Sequence, residues 1–234
     1  METRSRGPGA NGDQARPGAP MNLQKGAPPG HSRRERERLH CRQEILSAAS
    51  ELFAQFGYEK TAVKQIAERV GVSVGALYSH FQGKEDIFRE LLENWMRDMR
   101  RRSDAACRAE DPPLEQLRCR LAAATEHFKE HIDFLTIYHN ENPMLLEGMI
   151  RAEIERNSET ASKLIRGAMD RGDIARADPD VLAAVLIGSV QELMHMFAQR
   201  GRRDDFDDIP GIVERLIFKP LETKRMQESG MEGR

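Results

Sequence analysis

The chain has 234 residues, is 39% apolar and 32% charged, and carries a formal net charge of −2, a balance that supports one large or two small domains around a genuine core. Its three cysteines, Cys41, Cys107 and Cys119, form no C-x-x-C pair, which argues against a disulfide framework and for reduced thiols in a cytoplasm. No signal peptide is evident, and the longest small-and-apolar run, Val181 to Val190, is short for a bilayer span, so a cytoplasmic protein with no membrane partner is expected. The near-neutral total hides an asymmetry. Residues 1–88 hold 13 Lys/Arg against 10 Asp/Glu, and the remainder 23 against 28. Between Lys60 and Lys84 four basic residues face a single acid, Glu68. A basic patch at one end of an otherwise acidic chain points to a polyanionic partner.

In chain order, residues 1–34 are rich in Gly, Pro and Arg and poor in large apolar side chains, a composition that predicts a disordered basic tail. A first helix follows, with Ile45, Ala48, Ala49, Leu52, Phe53 and Phe56 on one stripe and Gly57 as its stop. Thr61 is placed as N-cap of a short second helix carrying Val63, Ile66, Ala67 and Val70. Gly71 supplies a turn, and Ser73 caps a third helix with Leu77 and Phe81 facing inward. After Gly83 a long fourth helix runs through Ile87, Phe88, Leu91, Leu92, Trp95, Met96 and Met99. Leu114, Leu117, Leu121 and Phe128 mark a fifth helix, and His131 to His139 a short sixth. Asn142-Pro143 opens a seventh that ends at Gly172. Asp178-Pro179 opens an eighth, apolar or small on every side from Val181 to Val190, which therefore needs cover on two faces. A ninth carries Ile209, Ile212, Val213, Leu216 and Ile217. No segment alternates as a strand, so the fold class is all-α, about nine helices. The expected domains are 35–88, a compact unit of three helices, and 89–221, a larger helical domain, with a disordered tail over 222–234.

Helix, glycine turn and a second helix with a polar outer face is the helix-turn-helix arrangement, whose second helix enters the major groove. The stretch TAVKQIAERVGVSVGALYSHFQGKEDIF, with its T-x-x-x-x-I-A, G-V-S, L-Y-x-H-F and K-x-x-I elements in register, closely resembles the N-terminal signature of TetR/AcrR-type transcriptional regulators. The signature spans about fifty residues, Gln43 to Leu92. The resemblance implies a dimeric regulator that binds a palindromic operator in double-stranded DNA, most readily a repressor. It places the third helix against DNA. Gly75 then reads as clearance for close backbone approach, Tyr78 and Lys84 as phosphate contacts, and the helix starts at Thr61 and Ser73 as sources of backbone N–H donors. Lys64 meets a base or a phosphate, Val74 and Ala76 offer contact to thymine methyls, and His80 is either a DNA contact or a helix-end hydrogen bonder.

The same resemblance implies a ligand pocket among helices four to seven and dimerisation through helices eight and nine. The pocket candidates are Trp95, Met99, Phe128, His131, Phe134, Tyr138 and Met149, a set that also reads as plain core. An apolar lining with few polar anchors suits a hydrophobic or amphipathic effector. Val181, Ala184, Val185, Gly188, Ser189, Ile212 and Leu216 are the interface candidates. His127 and His131 sit at i and i+4 without a matched third ligand, so no metal site is assigned. The sequence holds no phosphate-cradling glycine loop, nucleophile elbow or paired-carboxylate setting, so neither an enzyme nor a cofactor is expected. An alternative is an architectural or adaptor DNA-binding protein governed by protein partners. A cavity with polar anchors would favour the ligand-responsive reading, and a filled C-terminal core the alternative.

Overall fold

The computed structural model describes residues 32–132, 147–201 and 203–222. Eight helices are seen there: α1 (Arg33–Phe56), α2 (Val63–Val70), α3 (Val74–Tyr78), α4 (Lys84–Ala105), α5 (Pro113–Glu130), α6 (Glu147–Arg171), α7 (Pro179–Gln199) and α8. The last follows a 3-10 turn, Arg203–Asp208, and runs as Ile209–Val213, a π-helical widening over Glu214–Phe218, and Lys219–Leu221. Thus α6, α7 and α8 are the seventh, eighth and ninth helices read from the sequence. The sixth, together with Phe134, Tyr138 and most of both tails, lies outside the described residues.

Local chemistry sets the helix ends. Ser32 and Glu35 form a reciprocal capping box, the Glu35 carboxylate accepting from Ser32 N at 2.7 Å and Ser32 Oγ from Glu35 N at 3.3 Å. That box starts α1 at Arg33, inside the stretch expected to be tail. Gly71 adopts φ 78°, a left-handed C-cap open to glycine at little cost, and turns the chain from α2 to α3. Ser73 Oγ accepts from Ala76 N at 3.1 Å, as expected of an N-cap. Thr61 is not the cap of α2. Ala62 takes that place, its N–H donating to Gln65 Oε1 at 2.8 Å, while the Thr61 hydroxyl turns inward to Gly57 O at 2.7 Å and Leu52 O at 3.3 Å.

Two apolar clusters form. One joins α1–α4, from Ile45 through Phe53, Leu77 and Phe81 to Trp95 and Met99. The other joins α5–α8, from Leu114 through Ile165, Leu186 and Phe197 to Val213 and Phe218. Phe128 packs against both. The expected boundary at residue 88 falls inside continuous α4, whose apolar face belongs to the first cluster as far as Met99. Phe56, read as part of the core stripe, is 46% exposed. Among the described residues one antiparallel bridge pairs Ile174 with Glu222, tying the end of α8 to the chain after α6, so Glu222 is structured rather than tail. Arg118 on α5 strengthens that junction, reaching Glu214 at 2.8 Å and Glu222 at 2.6 Å. Burial works against its charge, but the hydrogen bonds to Glu214, Glu222 and Glu115 outweigh that and raise its pKa.

Among the described residues α7 is the one helix long and apolar enough to cross a membrane by length and composition, with mean hydropathy 1.6 over its best window. The full helix is longer than the run read from sequence. Ala183, Leu186, Val190 and Met194 on one face are buried in the second cluster, whereas Val181 and Val185 are 58% and 49% exposed.

Candidate DNA interface and ligand cavity

Leu77 and Phe81 are fully buried between α1 and α4, and this fixes which face of α3 looks outward. Val74, Gly75 and Tyr78 share it, with Tyr78 52% exposed. Ser73 is exposed beside them and Ala76 half-buried. A Cβ built on Gly75 meets nothing nearer than Ser73 Oγ at 3.9 Å, so no internal packing demands glycine there. Lys64 lies on the exposed side of α2, 3.7 Å from Glu68. Thr61 is 1% exposed, and its hydroxyl is spent on backbone carbonyls. The Thr61 side chain, expected to cap α2, instead braces the turn before it, and Thr61 N donates to Tyr58 O at 3.2 Å.

Two further candidates have work inside the fold. Lys84 Nζ donates to Tyr58 O at 3.1 Å and Glu59 O at 3.4 Å, and sits 4.3 Å from the Tyr58 ring centroid. It thus clamps the turn after α1 to the start of α4, at a groove that Tyr78 and Lys60 also line. His80 is half-buried, with Nδ1 unpartnered among the described residues. Burial, then Arg38 and Arg42, lowers its pKa, so the ring is neutral near pH 7. Its carbonyl accepts from Arg42, which also grips Glu90 and stacks 4.0 Å over the Phe81 ring. Arg42 thereby fastens the end of α3 to α1 and α4, a role the sequence pattern did not suggest.

A cavity of about 560 Å³ opens among α4, α5, α6 and α7. Of the pocket candidates, Trp95, Met99 and Phe128 border it. His131 and Met149 do not: His131 Nδ1 turns to His127 O at 2.8 Å, and Met149 packs against the first cluster. Gly188, assigned to the dimer surface, borders the cavity as well as being exposed. The sequence reading missed the polar lining, including Arg120, Glu153, Asn157 and Gln191. Helical spacing puts Glu153 between Ile150 and Asn157 and Arg120 three residues after Leu117, but it does not distinguish a cavity wall from a solvated face.

His127 is fully buried against Trp95, with ring centroids 5.2 Å apart. Its Nε2 lies 3.2 Å from Trp95 O, and because a carbonyl only accepts, Nε2 carries the proton. Burial first, then His131 and Arg102, pushes its pKa down to about 4, although Asp98 at 3.7 Å from Nδ1 works the other way. His127, Glu130 and His131 are close enough to share a cation. However, Arg102 already bonds Glu130 at 2.7 Å and Asp98 at 2.9 Å, so a guanidinium supplies the positive charge there. Cys41, Cys107 and Cys119 are free thiols. Burial raises the pKa of Cys41 and Cys119, which disfavours reactive thiolates.

A helix-turn-helix on a buried core with an exposed α3, carried on a helical domain with an open cavity, is the arrangement of a DNA-binding transcriptional regulator. Residues 45–91 match the family model described as bacterial regulatory proteins, tetR family. The probable acrEF/envCD operon repressor of Escherichia coli K12 is 26% identical over 205 residues, covering 81% of this chain and 92% of that protein. A TetR-family transcriptional regulator from Pectobacterium atrosepticum superposes with a TM-score of 0.62 at 25% identity, covering 83% of this chain and 99% of the other. SmeT, solved in complex with triclosan, superposes with a TM-score of 0.66 at 21% identity over 80% of this chain and 94% of its own. Residues 45–91 thus carry the TetR-family DNA-binding signature, and over most of its length the chain is similar to regulators of that family.

Proposed function

We propose that the chain is a cytoplasmic, homodimeric repressor that binds a palindromic operator and is released by a hydrophobic or amphipathic small molecule. The observation that carries this is α4. It begins at Lys84 in the groove beside α3 and continues through Trp95 and Met99, which line the cavity. A ligand can weaken DNA binding only by favouring a conformation in which two recognition helices are misspaced, and by no more than its differential affinity for the two states. A displacement of α4 at Trp95 would tilt the DNA-binding unit as one body, because α4 shares its core with α1–α3. Dimerisation would use the outer face of α7 and α8, where Val181, Val185 and Leu216 are 58%, 49% and 73% exposed. Ala184 and Gly188 keep that face flat enough for close helix approach, with Ser189 and Ile212 at its margin. The repressor named for the acrEF/envCD operon and the triclosan complex of SmeT support repression relieved by an apolar ligand.

The test follows the fluorescence of Trp95, the only tryptophan, and the anisotropy of labelled operator in one titration. Both signals are expected to change over the same ligand concentrations, and Trp95→Ala to leave operator binding intact while raising the ligand concentration needed for release. An inducer that releases DNA with no change at Trp95 contradicts the proposed route.

A further inference from the structure

The cavity contains two charged side chains whose charges are already matched but whose hydrogen-bonding capacity is not. Glu153 on α6 is 6% exposed, and its Oε2 is held by Arg100 at 2.5 Å, with Arg156 at 3.9 Å. Its Oε1 is buried with no hydrogen-bond partner. Arg120 on α5 bonds Asp104 through Nη1 at 2.8 Å, and its Nε is likewise buried and unpartnered. Both residues line the same 560 Å³ space, alongside Trp95, Met99, Phe128 and Leu186. That volume lies within the range of drug-sized ligand sites.

An unpaired buried acceptor and an unpaired buried donor are costly until a ligand or water completes them. From this arrangement we infer that the cavity selects a neutral, largely apolar ligand that donates a hydrogen bond to Glu153 Oε1 and accepts one from Arg120 Nε. This rests on the reading of the cavity as an effector site and names the effector's class: a hydroxyl-bearing amphiphile such as an alkylphenol. A cation would be drawn to Glu153 only against the nearby Arg100, and would face Arg120 across the cavity. An anion would satisfy Arg120 but leave the Glu153 carboxylate facing like charge, with Glu192 also on the wall. A neutral group that both donates and accepts completes both orphaned atoms without adding an uncompensated charge, and a hydroxyl does so through a single oxygen.

The experiment titrates the full chain, without DNA, with four probes of similar apolar bulk: 4-nonylphenol, its methyl ether, decyltrimethylammonium and decanoate. Trp95 fluorescence reports binding, with calorimetry as a check. The phenol is expected to bind tightest, and the ether, which cannot donate, at least about tenfold more weakly. Glu153→Met should bring phenol and ether to equal affinity. Arg120→Leu should weaken both several-fold while keeping the phenol ahead, and it keeps the test intact if Glu153→Met does not fold. Equal binding of phenol and ether to the unaltered chain, or tighter binding of the cation or the carboxylate, overturns the inference. Because DNA is absent, the two readings fail separately. A phenol that binds selectively yet never releases operator contradicts ligand-controlled repression and leaves the site's chemistry standing.

Discussion

Replacing Gly75 separates what the fold needs from what DNA needs. Within the chain, a side chain at this position meets open space, the nearest atom being Ser73 Oγ at 3.9 Å. Glycine costs about 1 kcal/mol against alanine in a helix interior. Because Gly75 lies in the first turn of a five-residue helix, about half of that is a fair expectation for Gly75→Ala. In a chain of this size it corresponds to a rise in Tm of roughly 1–2 °C. Gly75→Leu should likewise leave the melting temperature unchanged or raised. On DNA the sign reverses. A leucine on the face shared with Val74 and Tyr78 holds the helix off the duplex, and losing two charge-assisted phosphate contacts, at about 1.5 kcal/mol each, lowers affinity about 100-fold. The assay pairs thermal unfolding followed by circular dichroism with operator binding by fluorescence anisotropy. Gly75→Leu binding operator within about threefold of the unaltered chain would refute clearance as the reason for this glycine.

Lys84→Ala should lower stability by about 1 kcal/mol, through loss of its bonds to the Tyr58 and Glu59 carbonyls, and should also flatten the salt dependence of operator binding by about one unit. Urea unfolding and a salt titration check the two effects, and an unchanged salt slope would leave the lysine a purely structural clamp. His127 has a folded pKa of about 4, below its unfolded value of 6.5. The unfolded chain therefore binds the extra proton, and stability falls as pH drops from 6.5 towards 4, by at most about 3 kcal/mol. His127→Gln should flatten the urea-derived stability across that window; a slope unchanged by the substitution would assign it to other groups. Val185→Arg with Leu216→Arg places charge on two exposed apolar sites and should give a monomer in sedimentation velocity that loses operator affinity. A stable dimer of the double variant would move the interface elsewhere.

The helices were legible because their signals are local. Ser73, Gly71 and the apolar series from Ile87 to Met99 dictate cap, turn and buried face within a few residues, and the structure places each as read. Thr61 was misread because Thr at a helix start is an equally good cap or turn brace, and only the position of the Leu52 and Gly57 carbonyls decides between them. Lys84 was assigned outward because its tertiary partners lie more than twenty residues away. The cavity's apolar wall could be read from periodicity, whereas Glu153 and Arg120 could not be told from surface charges until Arg100 and Asp104 were seen beside them. Val181 and Leu216 were recognisable as apolar, but the sequence does not say which face of α7 the domain's own core consumes.

Selection of duplexes from a random pool by the purified full chain, followed by sequencing, tests the central claim most directly. The account predicts enrichment of one inverted repeat with half-sites spaced by whole helical turns, and loss of that enrichment with Gly75→Leu at unchanged melting temperature. A pool with no enriched repeat, or the same repeat recovered equally by Gly75→Leu, would contradict it.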